Sequence, residues 1–360
     1  MVSDPKVLRK GFNTSPAVKE QTTPRLSVII PTYNRGHLVT RAIDSALRAI
    51  SPGDEIIVID DGSADQTESV LRRYGSSIQY VKTENRGAGP ARNLGIQIAK
   101  HDWIAFLDSD DEWMPDHLDL HRAFLLASNV LFSFSNFDAC YDLAPERGLG
   151  RMKLVSWTKD FRSWDEILGK GVPYSRFAEL TAGRKDFNVH IGSLYNLMLR
   201  ASYVSVVTSV FRRDVAGEAL RFPEDLPIFE DYDFCIRLAK LGNSAYLDCA
   251  TAINHVHGDA RVTGATDLTK AATHITILER NWGQDTEYLQ KNRAAYEAIL
   301  REQKKSWVKQ LVIQGDTKRA RKELRFMKKA PLSVRILSLF PGFVARFISK
   351  VYLNIRKIGG

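Results

Sequence analysis

The sequence predicts an α/β fold: a mainly parallel, twisted sheet flanked by helices, with a helical extension after it. Three observations predict it. From Leu26 to Leu107, short apolar runs rich in β-branched residues alternate with amphipathic stretches, the signature of strand–helix–strand units. After about residue 264 only helical periodicity remains. The chain has 360 residues, 44% hydrophobic and 26% charged, which excludes a fibrous, collagen-like or wholly disordered protein.

Residues 1–24 carry Pro5, Pro16 and Pro24 among polar residues and are expected to be a flexible lead-in. They lack the apolar core of a signal peptide. The first strand is expected at Leu26–Pro31 and the first helix at His37–Ile50, where Leu38, Ala42, Ile43, Ala46 and Leu47 keep helical spacing. Strands at Glu55–Ile59, Ile78–Val81 and Trp103–Leu107 alternate with helices at Ala64–Tyr74 and Gly89–Ala99. Beyond Glu112 the pattern loosens. Strands are expected at Val130–Phe137, Val204–Phe211, Ala245–Leu247 and Ala252–Val256, and residues 141–200 read as loop-rich. Glu230–Leu241 reads as a helix with Gly242 as its C-cap. Helices at Leu268–Asn281, Thr286–Gln314 and Thr317–Lys329 follow, broken at Gly315. The expected division is an α/β domain over 25–260, a helical extension over 261–330 and a basic amphipathic tail over 331–360.

Three cysteines (Cys140, Cys235, Cys249) are too few and too scattered for a disulfide framework or a zinc site, which suits a reducing, cytoplasmic compartment. The formal net charge of +9 is uneven: Lys318 to Gly360 carries twelve basic residues and one acid, net +11, whereas the remaining residues sum to −2. The tail is therefore expected to meet an anionic partner.

In a parallel sheet, ligands bind outside the carboxyl ends of the strands. Three polar clusters stand at such ends: Pro31-Thr-Tyr-Asn-Arg35, Asp60-Asp-Gly-Ser63 and Asp108-Ser-Asp-Asp111. One Asp-rich turn is ordinary turn or cap chemistry. Three on one rim argue for a site. Three acids in four residues raise one another's pKa unless a cation neutralises them, and a hard divalent cation takes carboxylates together with substrate phosphates. The structural alternative is a helix start, a role open to Asp111 or Glu112 ahead of Met114-Pro115.

Asn85-Arg-Gly-Ala-Gly-Pro-Ala-Arg-Asn93 offers Gly87 and Gly89 at dinucleotide spacing. Arg92 stands where the third glycine belongs, and the segment does not follow the first strand, so a nicotinamide site is rejected. Arg86 and Arg92 can contact a nucleotide or brace the acidic rim. Glu230-Asp-Tyr-Asp233 opens a helix. Asp233 and Arg237 suit a plain i,i+4 salt bridge, and Asp231 suits a general base facing the rim. His255 and His257 share one face of a strand, where a metal needing a further ligand could use one of them.

These residues together resemble the family 2 glycosyltransferases, whose catalytic domain has the GT-A (Rossmann-like) fold. The likeness lies in Ser27–Arg35, Ile57–Thr67, Asn85–Gly95 and Phe106–Asp111, in the family's order and spacing, and more weakly around Phe229–Arg237 and His257-Gly258. It implies a nucleotide-diphosphate-sugar donor, a UDP-sugar in the first instance, bound by Pro31, Thr32, Tyr33, Arg35, Asp60, Asp61, Arg86, Arg92, Asp108, Ser109, Asp110 and Glu230. Asp108 and Asp110 match the family's DxD motif. The resemblance further implies a Mg²⁺ or Mn²⁺ ion on Asp110 and His257, Asp231 as the base, and inversion at the anomeric carbon. Bacterial surface-polysaccharide or glycolipid assembly is the implied setting. An alternative on a similar sheet, a sugar nucleotidyltransferase, would carry a Gly-rich basic run after the first strand, where this chain has Pro31–Arg35. A non-catalytic sugar-nucleotide binder is the other alternative, against which Asp110, Asp231 and His257 speak.

Pro331–Lys357 contains two short apolar segments flanked by Lys and Arg. Its longest uncharged stretch, Ile336–Ala345, is ten residues and holds Pro341-Gly342, too short to span a bilayer. It suits a helix lying in an anionic interface at the inner face of the cell membrane, beside a glycan or lipid-linked acceptor. Packing on the catalytic domain is the alternative. No nucleic-acid reader fold or aromatic platform is present, so nucleic acid is not an expected partner.

Overall fold

The computed structural model describes residues 23–141, 149–150, 162–256, 265–325, 327 and 331–349. Among these, eleven strands form one sheet. β1 (Leu26–Thr32), β2 (Glu55–Asp60), β3 (Gln79–Lys82) and β4 (Trp103–Phe106) make a parallel half in the order β3-β2-β1-β4. All seven residues of β1 are buried, as befits a central parallel strand covered on both faces. β10 (Ser209–Arg212) joins β4 antiparallel and links it to the parallel pair β6 (Phe132–Tyr141) and β11 (Ser244–Val256). Antiparallel β9 (Asn188–Gly192) and β8 (Val172–Pro173) close that edge. Two short strands, β5 (Glu112–Trp113) and β7 (Leu149–Gly150), pair with β11 and β6.

The helices sit where the apolar spacing requires. α1 (Val39–Ala49) buries Val39, Ala42, Ile43, Ala46 and Ala49. α2 (Thr67–Leu71) is shorter than its pattern suggests, because the chain tightens into a 3₁₀ segment at Arg72–Ser77 and turns at Gly75 with φ 52°. α3 (Ala88–Ile98) packs on β1 through Gly95, where an added Cβ would lie 2.4 Å from Ile29 Cγ2. α4 (His117–Ala127) is pinned from below: His117 Nδ1 meets Thr251 Oγ1 at 2.7 Å and His121 Nδ1 meets Ser133 Oγ at 2.7 Å. Residues 162–200 hold the short α5 (Trp164–Ile167) as well as β8 and β9, so this region is less loop-like than its composition. α6 (Arg213–Ala216) leads toward α7 (Glu230–Leu241), and the extension comprises α8 (Asp267–Asn281), α9 (Thr286–Gln314), α10 (Thr317–Leu324) and α11 (Leu332–Leu339).

Four expectations change. Of Val204–Phe211 only the end is strand. Ser205 O accepts from Thr208 N, Thr208 Oγ1 and Ser209 Oγ, and these local bonds wind Val206–Thr208 into a 3₁₀ turn. The two short strands at 245–256 are one strand whose register shifts between Leu247 and Ala252. Gly242 is the C-cap of α7 as expected, but with extended backbone, φ 172°, in place of a left-handed turn. Asp111 and Glu112 open no helix. They run into β5, and α4 starts at His117.

The tail helices pack on the extension. Val308, Leu311, Val312, Ala320, Leu324, Val334 and Ala345 form a second, smaller core apart from the main one. No helix among the described residues is long and apolar enough to cross a membrane.

Candidate functional site

The site is built on the carboxyl ends of β1, β2 and β4 and on the start of α7. At the end of β1, Pro31 and Thr32 are buried and Tyr33 is exposed. Asn34 then takes a left-handed turn, φ 50°. Its N–H donates to Ser63 Oγ at 2.8 Å and its Oδ1 accepts from Ala64 N at 2.9 Å, which ties this turn to the end of β2. Arg35 N–H donates to Thr67 Oγ1 at 3.1 Å. Thr32 Oγ1 is buried with no hydrogen-bond partner among the described residues.

Asp60 is fully buried, and both its oxygens are engaged. Oδ1 accepts from Ser63 N at 2.8 Å and Oδ2 from Tyr80 OH at 3.1 Å. Asp61 binds the next loop instead: Oδ1 accepts from Arg86 N at 2.8 Å and Oδ2 from Gly87 N at 2.7 Å. Burial pushes its carboxyl up, opposed by these two amides. Gly62, φ 80°, leaves room for the close approach, since a Cβ there would sit 2.8 Å from Asn85 N. The Arg86 side chain is largely exposed and pairs with Glu224 at 2.8 Å. Asp61, Thr83, Arg86 and Glu224 border a cleft of about 820 Å³ that runs along α3.

After β4, Asp108, Asp110 and Asp111 each place a carboxylate oxygen within 4.8 Å of the others. Ser109 between them is buried. Asp111 is held by Asn254 Nδ2, at 3.0 and 3.2 Å, and by His255 N at 3.2 Å. Burial, followed by repulsion from Asp110 and Asp108, drives its carboxyl well above the usual range. The guanidinium of Arg41 donates to the Asp110 carbonyl at 3.0 Å. Three oxygen donors that repel one another fit a hard divalent cation. Asp111 belongs to that donor set by geometry, although the DxD spacing alone points to Asp108 and Asp110. His255 meets Glu112 at 3.2 Å through Nε2. His257 lies outside the described residues.

Arg92 ties this cluster to α7. Its side chain is 6% exposed. One end donates to Asp108 Oδ1 at 2.7 Å, the other to Glu230 Oε1 at 3.0 Å. The pair of carboxylates outweighs the cost of burial and holds the guanidinium firmly charged. The first turn of α7 is aimed by Phe229, whose φ of 67° is uncommon for a non-glycine residue. Asp231 follows, partly buried, its Oδ1 accepting from Tyr232 N at 2.8 Å. Burial and the neighbouring Glu230 push its carboxyl up to about 6, against the pull of Arg92. Asp233 faces away. It is buried against Arg237 at 3.0 Å and Asn281 at 2.8 Å, the structural pairing its spacing suggests. Asp108, Asp110 and Asp111 thus stand in one cluster, with Glu230 and Asp231 across Arg92, while Asp60 is sealed beneath the rim.

Comparisons with known proteins address the family and the fold. The sequence model of "Glycosyl transferase family 2" matches residues 27–208. The UDP-Glc:alpha-D-GlcNAc-diphosphoundecaprenol beta-1,3-glucosyltransferase WfgD of Escherichia coli is 36% identical over 115 residues, 31% of this chain and 46% of that protein. The chain spans less than half the length of such curated relatives. Among solved structures, S. aureus TarS 1-349 in complex with UDP-GlcNAc superposes with a TM-score of 0.54 over 92% of both chains at 18% identity. The mannosyltransferase PcManGT from Pyrobaculum calidifontis, in complex with GDP-Man and Mn²⁺, does so at 0.50 over 96% of this chain and 89% of that one, at 16% identity. Those likenesses establish the GT-A fold, and with half of its length matched by the family's own pattern the chain belongs to glycosyl transferase family 2.

Proposed function

We propose that the chain moves a sugar from a nucleotide-diphosphate sugar, a UDP-sugar, to an acceptor hydroxyl with inversion at the anomeric carbon. The observation that carries the reading is the Arg92 bridge, which sets the aspartate cluster beside the pKa-shifted Asp231. Residues 25–260 would form the catalytic domain. The rim at Pro31, Thr32, Tyr33 and Asp61, with Arg86 beside it, would receive the base and ribose. Thr32 Oγ1 is a hydroxyl still in need of a partner there. Mg²⁺ or Mn²⁺ would be held by Asp110 with Asp108 and Asp111, and by His257 if the family pattern holds. When bound, it supplies Lewis-acid stabilisation of the charge that grows on the diphosphate.

Asp231 then takes the proton of the acceptor hydroxyl as that oxygen attacks the face opposite the leaving diphosphate. The C–O bond to the acceptor forms as the bond to the diphosphate breaks, so one displacement inverts the centre. With its carboxyl near 6, Asp231 is ionised at neutral pH yet still basic enough to accept a proton. Arg92 keeps Asp108 and Glu230 at fixed positions while Asp231 works. WfgD acts on a diphosphoundecaprenol-linked sugar, and the tail of this chain is strongly basic, so we place the acceptor on a lipid carrier or growing glycan at the inner membrane face. UDP released from a panel of UDP-sugars, with Mn²⁺ or with EDTA, tests the reading. Metal-dependent release that drops about tenfold or more in Asp110→Asn is expected. Equal release by Asp110→Asn and wild type would refute the metal assignment.

A further inference from the structure

Seven of the thirteen exposed large apolar side chains among the described residues lie within 331–349. The other six are scattered, as single surface apolar residues commonly are. Here they are ordered. On α11, Leu332, Ile336 and Leu339 recur at i, i+4 and i+7 and share one face, and the exposed Phe340 follows as the C-cap. Phe343 and Phe347 repeat the i,i+4 spacing in the helical residues 342–349. Leu339 is 74% exposed, Phe343 77% and Phe347 69%.

The opposite faces of the same helices are already used. Val334 and Ala345 are buried in the small core with Val308, Leu311 and Val312 of α9, and Leu337 packs against it. Arg321 donates to the Ser338 carbonyl at 2.5 Å and Arg335 to the Met327 carbonyl at 2.6 Å, which fixes the pair of helices on the extension. An ordinary surface helix would turn a polar face outward once its apolar face was packed. This one turns a second apolar face outward.

We infer that this ridge enters an anionic lipid bilayer, lying in the interface with its phenylalanines at the headgroup–acyl boundary. Charge complementarity selects the occupant. Arg335 and Arg346 flank the ridge and are exposed, α10 adds an exposed basic face, and the segment from Lys318 onward carries net +11. A protein partner or a second copy would meet that charge only with an acidic surface, and the rest of this chain is close to neutral at net −2. The inference deepens the membrane-face setting proposed above and rests on that reading for its partner. It concerns a rigid docked ridge, not a free tail, because the inner face is anchored on α9.

The test is co-sedimentation of the full chain with vesicles of phosphatidylglycerol and phosphatidylcholine, or of phosphatidylcholine alone. The wild type should pellet with the anionic vesicles, and salt should weaken that binding. The variant Leu339→Ser/Phe343→Ser/Phe347→Ser should partition about tenfold or more less strongly. Its melting temperature should stay close to wild type, because all three side chains project from the packed core. Equal pelleting of variant and wild type overturns the inference. So does a concentration-dependent dimer in sedimentation velocity that the same variant abolishes, since a second copy then covers the ridge. Vesicle binding does not depend on turnover: a chain that binds vesicles but releases no UDP leaves the inference standing and removes the proposed transfer.

Discussion

Arg92 serves two carboxylates at once, and its charge also reaches Asp231. Removing Arg92 leaves Asp108 and Glu230 charged, close and without a counter-ion. Arg92→Met should therefore cost about 3–5 kcal/mol in denaturant unfolding. It should also move the acid limb of kcat/KM to higher pH, because Arg92 pulls the Asp231 carboxyl down. A merely structural role would lower stability without moving that limb. For Asp231 itself, kcat/KM should fall about tenfold per pH unit below about 6, as the base becomes protonated. Asp231→Asn should lose about 10²–10⁴-fold in transfer while calorimetric donor affinity changes little. The same shift carries a stability consequence of fixed sign. The folded carboxyl titrates near 6 and the unfolded one near 3.8. Below about 6 the folded state takes up a proton that the unfolded state does not, so this group adds stability as pH falls and opposes folding at neutral pH. Asp231→Asn should consequently be more stable than wild type at pH 7, by about 1–3 kcal/mol after allowance for its partial exposure. At the residue scale the sequence pointed to Asp108, Asp110, Glu230 and Asp231, and the fold joins Asp108 to Glu230 through Arg92. The sequence could not decide whether Asp111 joins that acid cluster or opens a helix, because Asn254 and His255, which hold it, lie on a distant strand. Nor could it distinguish Asp60 from Asp61: the two are adjacent, but one turns inward to Ser63 and Tyr80 and the other outward to the Arg86–Gly87 loop.

Elements with strong local patterns lie close to where periodicity puts them: β1, β2, β4, α1, α3, α7, α8 and α9. Their apolar faces are wide and their ends carry ordinary stop signals. The failures share one cause, competition from bonds that the pattern does not encode. The Ser205 carbonyl captures the Thr208 amide and the Thr208 and Ser209 hydroxyls, which curls the chain ahead of β10, and the bulged register of β11 mimics a chain break. β9 is hard to read in the sequence because it is short, polar at its start, and needs β11 on one side and β8 on the other. Close helix–sheet contact is the element-scale feature most open to test. α3 lies on β1 only because residue 95 lacks a side chain. Gly95→Ala should lower stability by about 1–3 kcal/mol in urea unfolding, as overpacking does. The double variant Gly95→Ala/Ile29→Ala should lose less than the sum of its single changes, because the second substitution removes the atoms that clash. Strict additivity would show that the contact is not what limits residue 95.

Across the whole molecule the parallel half of the sheet carries the acidic rim, and α4 fastens the mixed half beneath it. His117 and His121 lie within that joint, fully buried, with His117 stacked on Trp113 at 4.3 Å. Burial lowers both imidazoles, His121 to about 3. A histidine with a depressed folded pKa contributes fully above its unfolded value near 6.5 and loses that contribution as pH falls. Global stability should therefore drop below pH 6.5, by up to about 1.4 kcal/mol per pH unit for each histidine. This is opposite in sign to the Asp231 effect, and the two separate by mutation. His121→Phe should flatten the acid side of the urea-midpoint profile, whereas Asp231→Asn should raise the neutral plateau and steepen the fall below about pH 6. The strand–helix alternation up to β4, the polar clusters at those strand ends and the uneven charge were legible in the chain, because each depends on residues within about a turn or a strand of one another. The bridging of Asp108 to Glu230 through Arg92, the lifted pKa of Asp231 and the outward apolar ridge of the tail were settled by the folded molecule alone. Each arises where segments far apart in sequence exclude water together, and neither spacing nor composition records which groups share that exclusion.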